Sequence, residues 1–190
     1  MPIYKHHQVN SIAKLWVWHI TEDEQSLTKN LSLTPHCNQR LQAMSHSNQR
    51  KGFLAVRSLV EAAGISLDQL RYTTDGKPYL EHGPHISFSH TRDFAAVAIC
   101  QGSIGVDVER HRAKVKRVAK KFINPADQAP QQTIAELTDL WCAKESIYKA
   151  ISIRGIRFSK DIFVDLSTPK KEIAIYRDPV SYTHLTLPTN

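Results

Sequence analysis

The sequence predicts an α+β domain in which helices pack on antiparallel strands. The run at residues 12–20 has apolar residues at near-alternating positions and β-favouring side chains, which indicates a strand, and three further short strands are predicted over residues 85–90, 94–100 and 104–109. Longer runs with apolar residues at helical spacing indicate helices over residues 35–63, 113–123 and 133–151. Because helices and strands occur in both halves of the chain, each half is expected to contribute to a packed core.

The first half of the chain begins with the strand-like run IAKLWVWHI at residues 12–20. In the helical run that follows, Phe53, Val56 and Leu59 recur at helical spacing, and Gly64 ends the run. The tetrapeptide DGKP at residues 75–78 is a turn signal. Residues 101–103, Gln-Gly-Ser, predict a hairpin turn between the strands 94–100 and 104–109.

The second half of the chain begins with a basic amphipathic helix at residues 113–123. Its apolar face would consist of Val115, Val118, Ala119 and Phe122. Two prolines make residues 124–131 a predicted loop before the long helix 133–151. Residues 161–166 and 172–176 have the composition of further strands.

Composition narrows the classes of function. The 190 residues suffice for one medium domain or two small lobes, and the net charge of +7 favours an anionic partner. The three cysteines are scattered, which argues against a disulfide framework or a structural zinc site and favours the cytoplasm. Neither a membrane-spanning apolar run nor the apolar core of a secretory signal is present in the sequence.

The motif IGVDVE at residues 104–109 is the strongest local signal. In a strand, Asp107 and Glu109 would point to the same face, about 7 Å apart, opposite the three apolar residues. Two such carboxylates repel each other unless a cation neutralises them, and Mg²⁺ prefers carboxylate, phosphate and water oxygens. The alternative is an ordinary amphipathic strand with a hydrated acidic face.

The motif WCAKESIYKA at residues 141–150 is the second signal. On a helix, Glu145 and Lys149 are neighbours one turn apart, and Lys144 lies beside Glu145. Trp141 would anchor the helix in the core, together with Tyr148 and Ile151. Glu145 is then a candidate metal ligand or base, and Lys149 a candidate phosphate ligand. The alternative is a surface ion pair that contributes about 0.3–0.5 kcal/mol.

Two weaker signals are polar residues at a strand end and a set of basic residues upstream. Ser89 and His90 close the predicted strand 85–90 and could bind a phosphate. They cannot easily form a nucleophile–base pair because adjacent strand residues face opposite sides. The basic residues are Arg40, Arg50, Lys51, Arg57 and Lys77. The P-loop, GxGxxG and GxSxG motifs do not occur, which disfavours P-loop ATP binding and a serine hydrolase.

The order GKP, SFSH, IGVDVE and WCAKES-x-x-K across residues 76–149 resembles the Sfp-type 4′-phosphopantetheinyl transferases. The upstream stretch TPHCNQRLQAMSHSNQRKGFLAVRSL is similar to the basic N-terminal helix of this family. The resemblance covers residues 33–166. It implies an α+β fold of two similar α/β lobes related by a pseudo-twofold axis, with coenzyme A between them. The expected division is an N-terminal lobe at 1–102 and a C-terminal lobe at 103–178.

The resemblance also implies roles for individual residues, carried over by motif. The implied metal ligands for Mg²⁺ are Asp107, Glu145 and, directly or through water, Glu109. The implied catalytic residues are Glu145, which would accept the proton of the attacking serine, and Lys149, which would contact the α-phosphate and help the leaving group. The implied coenzyme A ligands are Arg40, Arg50, Lys77, Ser89, His90, Lys144 and Lys149.

The activity implied is transfer of the 4′-phosphopantetheine group from coenzyme A to a serine of an acyl or peptidyl carrier protein. The basic run at residues 110–121 would dock the acidic carrier, with a solvated helix face as the alternative. A monomer without nucleic-acid or membrane partners is expected. Two other functions are considered: an inactive coenzyme A-binding relative, and a basic nucleic-acid-binding module. The nucleic-acid-binding hypothesis leaves the acidic motif at 104–109 unexplained, and the sequence contains no motif that recognises DNA or RNA.

The terminal run VSYTHLTLPT at residues 180–189 has no evident relation to the preceding sequence. It resembles the in-frame translation of a sequencing adaptor. We therefore expect residues 179–190 to be a non-native tail and the second lobe to be truncated. The alternative is a genuine β-rich terminus, and the coding DNA distinguishes the two.

Overall fold

A computed structural model describes residues 3–8, 12–29, 31–127, 132–166, 173–177 and 182–186. The chain divides into two compact units, Met1–Val108 and Glu109–Asn190. Both units combine helices with antiparallel strands, so the fold is mixed α/β. The pseudo-twofold relation of two lobes and the boundaries predicted at residues 102 and 178 stay predictions.

The first unit contains a four-stranded antiparallel sheet. Its elements are β1 (Ile3–Gln8), β2 (Ala13–His19), α1 (Glu24–Lys29), α2 (Pro35–Gln42), α3 (Ser47–Ala62), β3 (Leu70–Tyr72), β4 (Pro78–Leu80), β5 (His85–His90) and β6 (Phe94–Cys100). The strand order is β1-β2-β6-β5, and β3 and β4 form a separate hairpin. The hairpin turns at the predicted DGKP signal, where Gly76 has a φ of 82° that favours glycine.

Helix α3 supplies most of the core of the first unit. Leu54, Val56 and Leu59 have no exposed surface and pack in one cluster with Trp18 and Val97 of the sheet. The predicted helical run 35–63 is two helices rather than one, because residues 43–46 leave the helical conformation. Helix α2 has its own start signal, since the Thr34 side chain accepts a hydrogen bond from Cys37 N at 3.2 Å.

The strand predicted at residues 104–109 is wrong. Residues 103–110 are neither strand nor helix, and no hairpin with β6 forms. The segment is held by a side chain rather than by a backbone ladder, because Val106 N donates to Ser87 Oγ at 3.0 Å. The strict alternation of side chains that suggested a shared face for Asp107 and Glu109 therefore has no basis in this fold.

The second unit is built around one long helix. Its elements are α4 (Lys114–Val118), a 3₁₀ turn (Ala119–Lys121), α5 (Ile134–Ile151), α6 (Phe158–Asp161), β7 (Ile162–Asp165), β8 (Ile173–Arg177) and β9 (Tyr182–Thr186). The three strands form an antiparallel sheet in the order β7-β8-β9. Residues 179–181 and 187–190 of the predicted tail lie outside the described residues, and its origin stays a prediction.

Sequence signals explain where α5 begins and what it buries. The Thr133 hydroxyl accepts from Glu136 N at 3.1 Å, while Thr133 N donates to Glu136 Oε2 at 2.9 Å, which is a capping box. Leu140 and Ile147 of α5 pack with Phe122 and Ile162 in one buried cluster. Trp141 packs edge-on against Phe122 with ring centroids 5.2 Å apart, and Ile151 also packs against this cluster, so their predicted anchoring role is confirmed. The predicted core position of Tyr148 is wrong, because this residue lies on the exposed side of α5 and is 39% exposed. Every described helix is too short or too polar to span a lipid bilayer.

Candidate active site

Two side chains of β5 hold the segment that follows β6. Ser87 and Ser89 alternate with Phe88 and therefore face the same side of the strand. Ser87 accepts the hydrogen bond from Val106 N, and the Ser89 hydroxyl donates to Asp107 Oδ1 at 2.8 Å. The structure thus brings the SFSH and IGVDVE motifs together and fixes the direction of one acidic side chain.

Asp107 is suited to bind a hard cation. Its side chain is half-buried, and Oδ2 is a buried atom. A carboxylate that is oriented by a hydroxyl group is pre-organised as an oxygen ligand of the kind that Mg²⁺ prefers. The other two predicted ligands, Glu109 and Glu145, belong to the second unit. Within either unit of the described chain, no three His, Cys, Asp or Glu side chains are grouped to hold a metal, and a shared metal stays a prediction.

His90, the last residue of β5, lies against helix α3. A Cβ atom at Gly52 would come within 2.2 Å of His90 Nδ1, so the imidazole occupies the space above this glycine. The His90 side chain is exposed elsewhere, whereas Gly52 is buried. The predicted contact of His90 with a phosphate stays a prediction, and the structure adds the surface that supports the ring.

Arg50 donates hydrogen bonds to a carboxylate and to a backbone carbonyl. Its Nε donates to Glu24 Oε1 at 2.7 Å, Nη2 donates to the same oxygen, and Nη1 donates to Leu41 O at 2.7 Å. The hydrogen bond from Arg50 lowers the pKa of Glu24, although partial burial opposes this effect. A phosphate that binds Arg50 would therefore compete with Glu24.

Replacement of Glu24 by glutamine is expected to lower stability by less than about 1 kcal/mol at neutral pH, because the pair is partly exposed. The pKa of Glu24 is depressed in the folded chain, so its contribution is complete above the ordinary value of 4.5 and is lost as the pH falls through the lower folded pKa. The difference in Tm between parent and Glu24→Gln should accordingly shrink towards acidic pH. Thermal unfolding at several pH values checks this result.

A matched control is Glu81→Gln, which removes the acid of the more exposed pair between Arg71 and Glu81. A difference in Tm that is equal at every pH would contradict the Glu24 prediction.

The Glu24→Gln variant also tests the role of Arg50. If Arg50 contacts a phosphate, Glu24→Gln should retain or strengthen binding of 3′,5′-ADP, whereas Arg50→Ala should weaken it.

Arg40 and Arg57 converge on one aromatic ring. The Arg40 guanidinium lies 4.0 Å from the centre of the Tyr72 ring, and Arg57 Nη2 donates to the Tyr72 hydroxyl. Arg57 is only 2% exposed and stacks on Phe53 at 3.4 Å, and burial lowers its pKa. Its Nε has no hydrogen-bond partner among the described residues. Arg57 is thus a core cation, whereas the predicted phosphate role of Arg40 stays untested.

Lys77 lies in the turn between β3 and β4. Its backbone carbonyl accepts from Thr73 N at 2.9 Å, and its own N–H donates to Thr73 Oγ1 at 3.1 Å. Partial burial lowers the pKa of Lys77 from its ordinary value of 10.5. The turn therefore fixes the backbone position of this lysine, which the resemblance implies at the adenine end of coenzyme A.

A basic groove lies in the second unit beside the acidic motif. It has a volume of about 240 Å³ and is lined by Glu109, Arg110, Arg112, Lys114, Val115, Val118, Thr138 and Trp141. Glu109 is paired with Arg112 at 3.4 Å and also accepts from Arg110 N at 3.3 Å. Glu109 thus lies on the rim of a cavity whose lining combines cations with apolar side chains.

Lys144 has a structural position that differs from its predicted role. Its side chain is fully buried, and Nζ lies 2.7 Å from Asp127 Oδ2. The same ammonium donates to the carbonyls of Phe122, Phe158 and Ile162 at 2.8, 3.0 and 2.8 Å. Burial lowers the pKa of Lys144, and the hydrogen bond and charge of Asp127 oppose this shift. An ammonium enclosed by four oxygens has no N–H left for a phosphate, so this geometry argues against a coenzyme A contact.

Asp127 connects the elements around Lys144. Its Oδ1 accepts from Val164 N at 2.8 Å, and its Oδ2 accepts from Asn124 N at 2.6 Å. One carboxylate thereby fastens the loop before α5, strand β7 and, through Lys144, helix α5. Glu145 follows Lys144 directly, so the buried pair fixes the rotation of α5 that sets the direction of Glu145. Glu145 and Lys149 are both half-buried.

Comparison with known proteins identifies the family that this sequence resembles. A family model described as the 4′-phosphopantetheinyl transferase superfamily matches residues 103–186. The chain is also 30% identical over 112 residues to a 4′-phosphopantetheinyl transferase of Bacillus subtilis. The resemblance to the 4′-phosphopantetheinyl transferase superfamily is confirmed.

A second relative of the same kind is the 4′-phosphopantetheinyl transferase gsp of Aneurinibacillus migulanus, which is 26% identical over 109 residues. The two alignments cover 55% and 53% of this chain, and 48% and 46% of the relatives. The chain thus spans about half the length of the curated relatives it matches.

The residues that hold the transferase motifs in place were not predicted from the sequence. They are Ser87, Gly52 and Asp127. Ser87 could have been found from its alternation with Ser89 along the strand, and Gly52 from its position inside a predicted helix, where glycine is unfavourable. Asp127 gives no comparable signal, because two of its partners, Lys144 and Val164, come from distant parts of the chain.

Proposed function

We propose that the chain transfers the 4′-phosphopantetheine group of coenzyme A to a serine of an acyl or peptidyl carrier protein, with Mg²⁺ as cofactor. The observation that carries this proposal is the hydrogen bond of 2.8 Å from Ser89 to Asp107. It joins two of the motifs of the 4′-phosphopantetheinyl transferase superfamily within the first unit and orients the acid proposed to bind the metal.

The reaction exchanges one phosphorus–oxygen bond for another. The carrier serine oxygen bonds to the phosphorus that bears pantetheine, and the bond from that phosphorus to the bridging oxygen breaks, releasing 3′,5′-ADP. Glu145 is proposed to accept the serine proton, and Lys149 to donate to the departing phosphate. Mg²⁺ bound to Asp107, Glu109 and Glu145 would neutralise the pyrophosphate. Arg40, Arg50, Lys77, Ser89 and His90 are proposed to hold the nucleotide.

The finer features of the proposal follow the same resemblance. We expect the two units to be similar lobes with a pseudo-twofold relation and the chain to act as a monomer. A cytoplasmic location is favoured by the cysteines, since none of the three forms a disulfide. Neither nucleic acid nor membrane is proposed as a partner.

The test of the proposed function is a mass-shift assay. The full chain is incubated with an apo carrier protein, coenzyme A and Mg²⁺, and the carrier is weighed by mass spectrometry. Gain of one phosphopantetheine group, lost when Mg²⁺ is chelated, supports the proposal. Binding of coenzyme A without transfer would instead indicate an inactive relative. Binding of neither coenzyme A nor carrier, together with tight binding of nucleic acid, would favour the basic binding module.

The basic run at residues 110–121 is proposed to dock the acidic carrier. Its seven cations are exposed, and they are Arg110, Arg112, Lys114, Lys116, Arg117, Lys120 and Lys121. The groove beside them offers Val115, Val118 and Trp141 to an apolar side chain. Charge complementarity of this kind affects association with an acidic partner more than binding of a small ligand.

Replacing Lys116, Lys120 and Lys121 by glutamate is expected to raise the carrier KM about tenfold, since each exposed pair contributes about 0.2–1 kcal/mol. The affinity for coenzyme A should stay within about twofold of the parent. Steady-state kinetics with varied carrier, and calorimetry with coenzyme A, measure the two effects. Lys29→Glu, at the end of α1 in the first unit, is the control for a change of charge alone. Weaker coenzyme A binding with an unchanged carrier KM would contradict this docking role.

A further inference from the structure

Gly52 lies inside helix α3, in direct contact with the imidazole of His90. A Cβ atom at this position would be 2.2 Å from His90 Nδ1, 2.6 Å from Cγ and 2.7 Å from Cε1. Real Cβ atoms do not approach other atoms so closely. Because Cγ is attached to the His90 Cβ, the ring could not escape by moving only its outer atoms.

The contact defines which edge of the ring faces the helix. The three ring atoms nearest to Gly52 are consecutive, and they place the Nδ1 corner against α3. The opposite edge, which carries Nε2, is therefore directed away from the helix. His90 is exposed although Gly52 beneath it is buried, so the ring covers the helix backbone and retains an open side.

The sequence indicates that this glycine has a specific purpose. Glycine is unfavourable inside a helix relative to alanine, because it has more conformational freedom to lose on folding. The neighbouring residues of α3 fill the core with side chains, since Leu54, Ala55 and Val56 are fully buried. The presence of glycine at position 52 therefore requires an explanation from the packing around it.

We propose that Gly52 is a positioning residue for His90: it lets the imidazole pack with its Nδ1 corner against α3 and so presents the Nε2 edge to an anionic ligand. This inference rests on the proposed function, in which His90 contacts a phosphate of coenzyme A. His90 follows Ser89, which holds Asp107, so the ring is supported at the strand end where Ser89 contacts this carboxylate. A side chain at Gly52 would displace the ring and leave the rest of the site in place.

The positioning part is tested by thermal unfolding of four chains: the parent, Gly52→Ala, His90→Ala and the double variant. Alanine improves the helix, so with His90 removed the Gly52→Ala change should raise the Tm. With His90 present the gain should be smaller or reversed, because the ring is displaced. An equal change of Tm in both backgrounds overturns the proposal. Gly102→Ala is the control, since a Cβ there would meet no atom within 4 Å.

The ligand part is tested with 3′,5′-ADP as probe, by calorimetry without metal or carrier. Gly52→Ala and His90→Ala should each weaken binding about tenfold, and the double variant should be no weaker than either. The His90 Cε1–H signal in NMR should shift in Gly52→Ala and stay unchanged in Gly102→Ala. Additive losses, or parent-like binding by Gly52→Ala, overturn the proposal. A parent chain that does not bind the probe overturns the proposed function and the ligand part, whereas the Tm comparison still decides the positioning part.

Discussion

Replacement of Lys144 by methionine is expected to lower the free energy of unfolding of the second unit by about 3–5 kcal/mol, because it removes one partner of a buried ion pair. The Nζ–Oδ2 distance is 2.7 Å, and the side chains of Lys144 and Asp127 are 0% and 1% exposed. Methionine has a similar length and no charge. The Asp127 carboxylate would be left buried beside an apolar side chain, and three backbone carbonyls would lose their donor.

Hydrogen exchange of peptides from residues 132–166, together with chemical denaturation, measures this loss in the unit concerned. Lys160→Met is the matched control, because Lys160 is exposed in the same unit and should change stability by less than about 0.5 kcal/mol. The double variant Lys144→Met with Asp127→Asn should recover part of the loss. The amide oxygen can still accept from Val164 N, and the buried charge is gone. A loss below about 1 kcal/mol in Lys144→Met would contradict the structural role.

The sequence predicted helices and strands correctly where the local conformational preference agreed with the tertiary contacts of the element. The strands β2, β5 and β6 lie where the sequence predicted them, and each is paired in the antiparallel sheet. Helix α5 begins at its capping box, covers the run predicted as helical, and buries Leu137, Leu140 and Ile147. In these elements, the apolar pattern and the backbone hydrogen bonds favour the same conformation, so the pattern alone suffices.

The strand predicted at residues 104–109 shows why alternation can mislead. Ile104, Val106 and Val108 alternate with polar residues, yet the described segment has no strand partner. Its backbone instead donates a hydrogen bond from Val106 N to the side chain of Ser87. Alternation reports only that one side of a segment is covered, and it does not say whether a neighbouring strand or a row of hydroxyls does so.

Lys144 illustrates a limit of motif-based prediction of a site. Its place in the WCAKES motif suggested a ligand contact, although helical spacing places it on the same face as Leu140 and Ile147, which are buried in the structure. The acceptors of its ammonium come from Phe122, Asp127, Phe158 and Ile162, which are brought together only by the folded unit. A motif residue can therefore serve the site by fixing its helix rather than by binding the ligand, and sequence alone does not separate the two.

Replacement of Asp107 or Glu145 by alanine is expected to lower phosphopantetheine transfer by roughly 10²–10³-fold each, because each change removes a carboxylate proposed to bind the metal. The mass-shift assay against time measures the rate. Stability should change little for Glu145→Ala, since its side chain is half-buried. Asp139→Ala is the matched control on the same helix, where Asp139 lies 4.0 Å from His111. Transfer at the parent rate by both variants would refute the proposed metal site.

Ser89 allows the role of Asp107 to be separated from binding of the nucleotide. The hydroxyl donates to Asp107 Oδ1, and a hydrogen bond to a charged group contributes about 1.5–3 kcal/mol. If Ser89 acts by orienting this carboxylate, Ser89→Ala should require more Mg²⁺ for half-maximal transfer and leave the coenzyme A KM at saturating Mg²⁺ unchanged. If Ser89 acts on the nucleotide, the coenzyme A KM should rise at every Mg²⁺ concentration. Ser89→Thr retains the hydroxyl and should restore the Mg²⁺ dependence only in the first case. The pattern of these responses therefore distinguishes a residue that prepares the metal ligand from one that binds the substrate.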